Sequence, residues 1–324
     1  MTDTLEEAVA TSAGVGSGPL KVTHEIGSAI DVEYDGVQLA RYVYQSDIDQ
    51  FECPMPYFHP LRSLAGDLVT HNRPHDHRWH KGLSMTASHV SEQNFWGGGS
   101  YRPGAPGVGY VKLPNVGTLQ HRGFDALEVG VDQVSFTEDI DWITQAGEHW
   151  VDESRAIVLR DFDPSDASWS IEFATTITNV RGEELRFGSP TVFGREQAGY
   201  AGFFWRGPRE FAGEYTGGEI LASGGLSGPE IMGQRADWLA FIGKHDLGEN
   251  SSTMLFDQDP DNADAPAYWF VRRVPYAVVN PSIAFYDELV LQPGESFSRR
   301  YRLTIATGRW DAERIEAYRE RHPL

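Results

Sequence analysis

The chain has 324 residues, with 27 Lys and Arg against 47 Asp and Glu, a formal charge of −20, and 40% of its residues are hydrophobic. That balance argues against nucleic acid and against an anionic membrane surface as partners, because both call for a basic face; the apolar content suffices for a packed core and excludes a chain disordered throughout. A single cysteine, Cys53, leaves no intramolecular disulfide and no thiolate zinc cluster, and no apolar run reaches the ~20 residues of a membrane helix.

Residues 1–18 (MTDTLEEAVATSAGVGSG) read as a disordered tail with room for a short helix at Thr4–Ala10. They lack the basic start and apolar centre of a secretory signal, so a cytoplasmic location is expected. From Leu20 the pattern turns to strands: Lys21–Ile26, Ala29–Tyr34 and Val37–Tyr44, with Asp35-Gly36 as a hairpin signal between the last two. Cys53–Pro60 (CPMPYFHP) holds three prolines, which argues against a central strand. Thr70–Lys81 (THNRPHDHRWHK) reads as an irregular loop, Gly82–Val90 as a strand, and the glycine-rich Asn94–Gly109 as a second long loop. Long loops in a compact domain are most often functional or disordered.

Alternating segments then follow at Glu128–Asp139, His149–Leu159 and Ser168–Thr178, and later at Trp238–Ile242, Thr253–Phe256, Tyr268–Arg272 and Phe297–Thr307. Only Ala312–Arg321 reads as helix, with Asp311 as its N-cap. The expected fold is therefore all-β, a large antiparallel β-sandwich over 19–324 forming a single domain with a short C-terminal helix.

Six of the eleven histidines lie between positions 59 and 89: His59, His71, His75, His77, His80 and His89. Histidine serves as both acid and base near neutral pH and is a common metal ligand. His75, His77 and His80 are spaced closely enough to be a possible metal set, although no H-E-x-x-H helix frames them. The inert alternative is a solvated loop whose rings only pack. A second constellation is Val192–Gly207 (VFGREQAGYAGFFWRG), with Arg195, Glu196, Tyr200, Trp205 and Arg206 among glycines. If it is extended, Glu196 projects beside small residues; the structural alternative pairs Glu196 with Arg195 or Arg206.

The blocks DHRWHKGLSM (76–85) and NFWG (94–97) resemble the first motif of the family labelled methane oxygenase PmoA. PYFHPLR (56–62), GREQAGYAGFFWRGP (194–208), FDQDPDNADAPAYWFVR (256–272), NPSIAFYDEL (280–289) and LQPGESFSRRYRLTIATG (291–308) are similar to later blocks of that family, in order, over roughly 20–310. Arg78 and Trp79 stand where that family more often has Pro and His. The resemblance matches His77, His80, Gly82, Phe95 and Trp96 to its first block and Arg195, Glu196, Tyr200, Trp205 and Arg206 to its second. It also implies a setting in carbohydrate catabolism.

The leading expectation is a carbohydrate-active enzyme with a galactose-mutarotase-like sandwich. His77, His80 and Glu196 would move protons, in an epimerase, lyase or hydrolase type of reaction. His59, Arg62, Trp96, Arg195, Trp205, Arg206, Trp269 and Asn280 would bind the sugar, with no cofactor. Hydrolysis would draw a second carboxylate from Asp257, Asp259 or Asp287. Two alternatives stand beside it: a non-catalytic sugar-binding or regulatory protein, and a metal-dependent oxygenase as the family label says.

Overall fold

The computed structural model describes residues 12–15, 18–215 and 217–324. The helix expected at Thr4–Ala10 lies outside the described residues. Within the expected tail, Ser12–Val15 pairs antiparallel with Leu20–Glu25.

Two large antiparallel sheets carry the chain. The larger runs from one edge through Leu20–Glu25, Ala29–Tyr34, Val37–Val43, Tyr57–Leu61, Leu83–Val90, Ala201–Arg206 and Val278–Ser282 to Tyr268–Arg272. The second runs through Thr118–Val129, Val134–Ile143, His149–Asp163, Ser168–Asn179, Ser296–Thr307, Ser251–Gln258, Trp238–Lys244 and Glu219–Ala222. One continuous hydrophobic cluster draws on both sheets, so they pack as a sandwich. The all-β antiparallel class is thus as expected, as is the helix Ala312–Arg321, whose N-cap Asp311 accepts a hydrogen bond from the Arg314 amide at 2.9 Å.

Local rules account for much of this. Asp35 and Gly36 both take positive φ (48° and 84°), the conformation a two-residue hairpin demands. Two expectations fail for identifiable reasons. Glu128–Asp139 is not one strand: the Gly130 amide donates to the Gln133 carbonyl at 2.8 Å, closing a turn between Thr118–Val129 and Val134–Ile143. Tyr57–Leu61 is a strand inside the sheet despite its proline, because it bridges its inner neighbour at one position, Phe58 to Leu83. So sparse a ladder does not require the amide that Pro60 lacks.

Strands buried on both faces define the molecule. In Ala201–Arg206, Phe203 and Trp205 point into the sandwich: Phe203 stacks on Tyr301 with ring centroids 5.1 Å apart, and Trp205 meets Phe241 at 5.2 Å. Phe204 belongs to a separate cluster with Trp96, Phe270, Val278 and Phe285 on the opposite face. The same alternation sends Trp269 and Val271 inward and Phe270 outward. On the far side of the second sheet, the C-terminal helix covers Trp238, Leu255 and Trp310 with Ile315 and Tyr318.

The sandwich interior also holds a charge network. Arg155 pairs with Glu153 at 2.9 Å and donates to the Tyr42 hydroxyl at 2.9 Å; Tyr42 in turn donates to Glu138. Thr175 and the Trp142 indole donate to Glu153 at 2.8 and 2.9 Å. Such a buried network is tolerable only when its members are mutually satisfied.

Trp205 has 0% of its surface exposed, and its indole donates to the Val69 carbonyl at 2.9 Å. Trp205→Ala is expected to cost about 3–5 kcal/mol, read as a fall in the urea midpoint; a change under about 1 kcal/mol would contradict its placement in the core.

Candidate functional site

The outward face of the larger sheet, the one not packed on its partner, carries a cavity of about 280 Å³. Its floor is Phe204 and Phe270 from the strands Ala201–Arg206 and Tyr268–Arg272, and Arg272 ends the latter strand at the cavity wall. Three segments roof it: His77, Trp79 and His80 from the first loop; Trp96, Gly97, Gly99, Val108 and Tyr110 from the second; Arg195 and Tyr200 from the turn before the floor strand, with Tyr276 closing one side. At ~30 Å³ per water, the volume is about nine waters, the scale of one small ring-shaped molecule.

The first loop is pinned by Glu52. Its carboxylate accepts from Arg73 at 2.6 and 3.0 Å and from Arg78 at 2.8 Å, while its carbonyl accepts from the buried Lys81 ammonium at 2.6 Å. Burial alone would raise the Glu52 carboxyl; Arg73 and Arg78 more than reverse this and hold it below the usual range. Lys81 is lowered to about 8 by burial, with Cys53 and Glu52 offsetting part of the effect. These contacts close both ends of the segment that presents His77 and His80.

The second loop is shaped by Asn94, whose side-chain oxygen accepts from the amides of Trp96 and Gly97, both at 2.9 Å. Gly97 and Gly98 follow at φ 97° and 71°. A Cβ on Gly98 would lie 2.5 Å from the Trp79 ring, and one on Gly97 would lie 2.6 Å from the Trp79 Cβ. The glycines therefore let the two loops close on one another.

Inside, His80 is 4% exposed, and its ring meets Trp96, Phe204 and Tyr276 edge-on at centroid distances of 5.2–5.6 Å. Its Nδ1 has no hydrogen-bond partner. Burial, reinforced by the Arg206 charge, pushes the His80 imidazole well below its ordinary value. Burial also lowers His77, with Asp76 beside its Nδ1 at 3.3 Å acting the other way. With both lowered from the ordinary histidine value, both rings are predominantly neutral at pH 7. Burial would raise the Asp76 carboxyl, but hydrogen bonds from its own backbone amide, Arg209 and His77 hold it well below the usual range. On the opposite wall the Tyr110 and Tyr200 hydroxyls share a hydrogen bond at 2.6 Å, and Arg195 donates to Tyr110. Burial pushes the Tyr200 hydroxyl well up, and Tyr110 adds to the effect.

Arg206 lies behind Tyr276, its guanidinium 4.3 Å from that ring centroid. It is 1% exposed, and its Nε and Nη1 have no hydrogen-bond partner. Burial lowers it to about 10, so it remains a cation at neutral pH. Leaving a buried charge uncompensated typically costs about 3–5 kcal/mol.

The residues expected from the sequence therefore separate. His77, His80, Trp96 and Arg195 line the cavity, and Arg206 backs it. Glu196 does not line it: the segment before Ala201 is turned, not extended, so the alternation argument does not apply, and Glu196 is exposed on that turn. Trp205 and Trp269 are corrected from sugar-stacking to core residues. Both are 0% exposed, and the Trp269 indole donates to the Ala236 carbonyl at 2.8 Å. Asn280 is likewise a sheet residue, its amide joining the Ala201 amide and the Phe203 carbonyl at 2.9 and 2.8 Å. His59 faces Thr70 at 2.9 Å and is lowered by burial to about 4, while Arg62 donates to the Gly66 carbonyl at 3.1 Å; neither lines the cavity.

The possible metal set does not fit. His75 is exposed with its Nδ1 3.3 Å from the Arg209 guanidinium, a poor neighbour for a cation. Among the described residues, the one group of three such ligands gathered within 4.8 Å is Asp141, His149 and Asp152, in the second sheet. Tyr110, Tyr276 and Arg272 were not singled out by sequence. Arg272 sits at the end of a recognised strand, in step with Phe270, and that shared parity was the available signal.

The chain belongs to a family of unknown function, DUF6807, which it matches over residues 29–320. No curated protein matches it in sequence. Among solved structures it is similar to the GH36 α-galactosidase AgaA of Geobacillus stearothermophilus, at 13% identity and TM-score 0.38, over 92% of this chain and 40% of that one. It is also similar to a GalM/aldose epimerase homologue from C. elegans, at 9% identity and TM-score 0.30, covering 92% of this chain and 100% of that one. A galactose 1-epimerase from Lactobacillus acidophilus matches at 6% identity and TM-score 0.32, covering 92% and 99%. The chain thus spans about 40% of the length of the α-galactosidase.

The Glu52 anchor gives a pH-dependent prediction. Its folded carboxyl is depressed, so its contribution is present above the ordinary value of 4.5 and is lost as pH falls through the lower native value. Glu52→Gln is expected to lose about 2 kcal/mol at pH 7. The gap between variant and wild-type melting temperatures should close as pH falls from 6 towards 3; a gap independent of pH would count against the anchor.

Proposed function

We propose that this member of the DUF6807 family binds a monosaccharide-sized carbohydrate in the cavity and transforms it by proton transfer through His77 and His80. The observation that carries the reading is the lining itself. Two neutral imidazoles with rings 4.9 Å apart face aromatic walls and a tyrosine pair, in a space that fits one sugar ring. Trp79, Trp96 and Tyr276 give the cavity aromatic walls suited to the C–H surface of a sugar, and Tyr110 and Tyr200 are hydroxyl-bearing side chains in the same lining.

The lining also favours one type of reaction over another. Among the described residues, no Asp or Glu lines the cavity. Asp257, expected as a possible second carboxylate, is buried with Arg302 at 3.2 Å and with Arg319 beneath the C-terminal helix. This supports epimerisation or elimination, with one imidazole as base and the Tyr110 or Tyr200 hydroxyl as the proton donor, over hydrolysis by two carboxylates. The oxygenase label would ask for gathered metal ligands, which His75, His77 and His80 do not supply. The division into a tail over 1–18 and one sandwich domain over 19–324, and a cytoplasmic location, go with the same proposal; limited proteolysis and cell fractionation test them.

A screen of monosaccharides, followed by NMR for exchange of carbon-bound protons with solvent deuterium, tests the reaction. His80→Ala and His77→Ala are expected to lower kcat about 10²–10⁴-fold while binding survives. Turnover unchanged in both variants would overturn the assignment; sugar binding without exchange or conversion would leave a binding protein instead. Because both imidazoles are depressed, the acid limb of kcat/KM should fall below 6.5, the ordinary histidine value. A limb at or above that value would count against a base of this kind.

A further inference from the structure

We propose that the ligand of this cavity is an anionic monosaccharide, held through its carboxylate or phosphate by Arg272 and Arg195, with the Arg206 charge behind the Tyr276 wall. The inference rests on the carbohydrate reading for its scaffold and on the arginines for its charge.

The chain carries 47 acidic and 27 basic residues, so an arginine here has carboxylates in excess to pair with. Most arginines in the structure do so, including Arg41, Arg73, Arg155 and Arg302. The three around the cavity do not. Among the described residues, neither Arg195, Arg206 nor Arg272 is within 4 Å of a carboxylate oxygen, although a salt bridge holds Asp76, on the neighbouring loop, to Arg209. Arg195 gives one bond to the Tyr110 hydroxyl and Arg272 one to the Gln197 carbonyl at 2.7 Å. Each guanidinium has five donors, so both keep free donors at the cavity wall. Arg206 is the stronger signal: almost wholly buried, with two of its nitrogens unpartnered.

A positive, partly enclosed site in a molecule of charge −20 is not the product of a generally basic surface. Screening at physiological salt confines the outer acidic field to roughly 8 Å, so the local cations decide what the cavity holds. Low-dielectric aromatic walls strengthen their field. Guanidinium matches a planar carboxylate in bidentate fashion and also serves phosphate. With about 280 Å³ available, the anion and the ring must belong to one small molecule.

The test is calorimetric titration of the full chain with uronates and aldonates, each beside its neutral parent sugar, and with hexose 6-phosphates. At least one anionic sugar is expected to bind tenfold or more tightly than its neutral parent, with the advantage shrinking between 50 and 500 mM salt. Preference for sugar acids assigns the group as carboxylate, and preference for hexose phosphates as phosphate. Arg272→Gln and Arg195→Gln should each remove most of the advantage, and Arg272→Lys should retain part of it. Near-UV circular dichroism confirms that the variants are folded. Equal affinity for an anion and its parent overturns the inference and leaves the carbohydrate reading standing. Tight binding of a sugar acid that is never transformed supports the inference and overturns the proton-transfer reading. Failure of every sugar to bind overturns both.

Discussion

The strand Ala201–Arg206 is buried on both faces, and the rest of the molecule is arranged around that constraint. A strand offers alternate side chains to opposite sides, so one six-residue segment must serve two interiors. Phe203 and Trp205 serve the sandwich, against Tyr301, Phe241 and Phe256. Phe204 and Arg206 serve the cavity side, against His80 and Tyr276. A shift of register by one residue would put a guanidinium into the sandwich and an indole into the site. Hydrogen bonds on both flanks, to Leu83–Val90 and Val278–Ser282, hold that register.

The floor is rigid because it is sheet, while the roof is loop and needs separate fastening. Glu52 provides it for the first loop by gathering Arg73, Arg78 and Lys81. Asn94 and the glycines after it provide it for the second. Each fastening centres on a buried acceptor, the Glu52 carboxylate and the Asn94 side-chain oxygen, where a satisfied hydrogen bond is stronger and a broken one costs more. The roof can therefore carry His77, Trp79, His80 and Trp96 in defined positions without regular secondary structure.

The charge distribution divides the molecule in the same way. Arginines within the sandwich and on its second sheet meet carboxylates, as Arg155 meets Glu153 and Arg302 meets Asp257. Around the cavity, among the described residues, Arg195, Arg206 and Arg272 have no carboxylate oxygen within 4 Å, Asp76 beside His77 being held by Arg209; these cations sit beside aromatic rings: Arg195 over Tyr110 at 4.8 Å, Arg206 over Tyr276 at 4.3 Å and Arg272 by Phe270 at 5.1 Å. Rings compensate a guanidinium only partly. Asp76 acts on Arg206 only from a distance, so much of the positive charge at the site is left without a paired carboxylate.

The local features are legible in the order of residues. The Asp35-Gly36 hairpin, the capped helix Ala312–Arg321 and most of the strands follow from turn chemistry and alternation. So does the prominence of the two loops, since their histidines, tryptophans and glycines mark them as unlike their neighbours. That order is silent on parity. In FFWR and YWFVR both faces carry aromatic residues, and the one polar mark is the terminal arginine, in step with Phe204 and Phe270; so weak an alternation leaves open which way the Trp205 and Trp269 indoles face. The order of residues is silent too on Tyr110 and Tyr276, which are ordinary in their own segments and gain meaning only beside Arg195, Arg272 and one another. These points emerge from packing, because the order of strands in a sheet and the loops that cover its free face depend on contacts between residues a hundred or more positions apart, as between Leu83–Val90 and Ala201–Arg206.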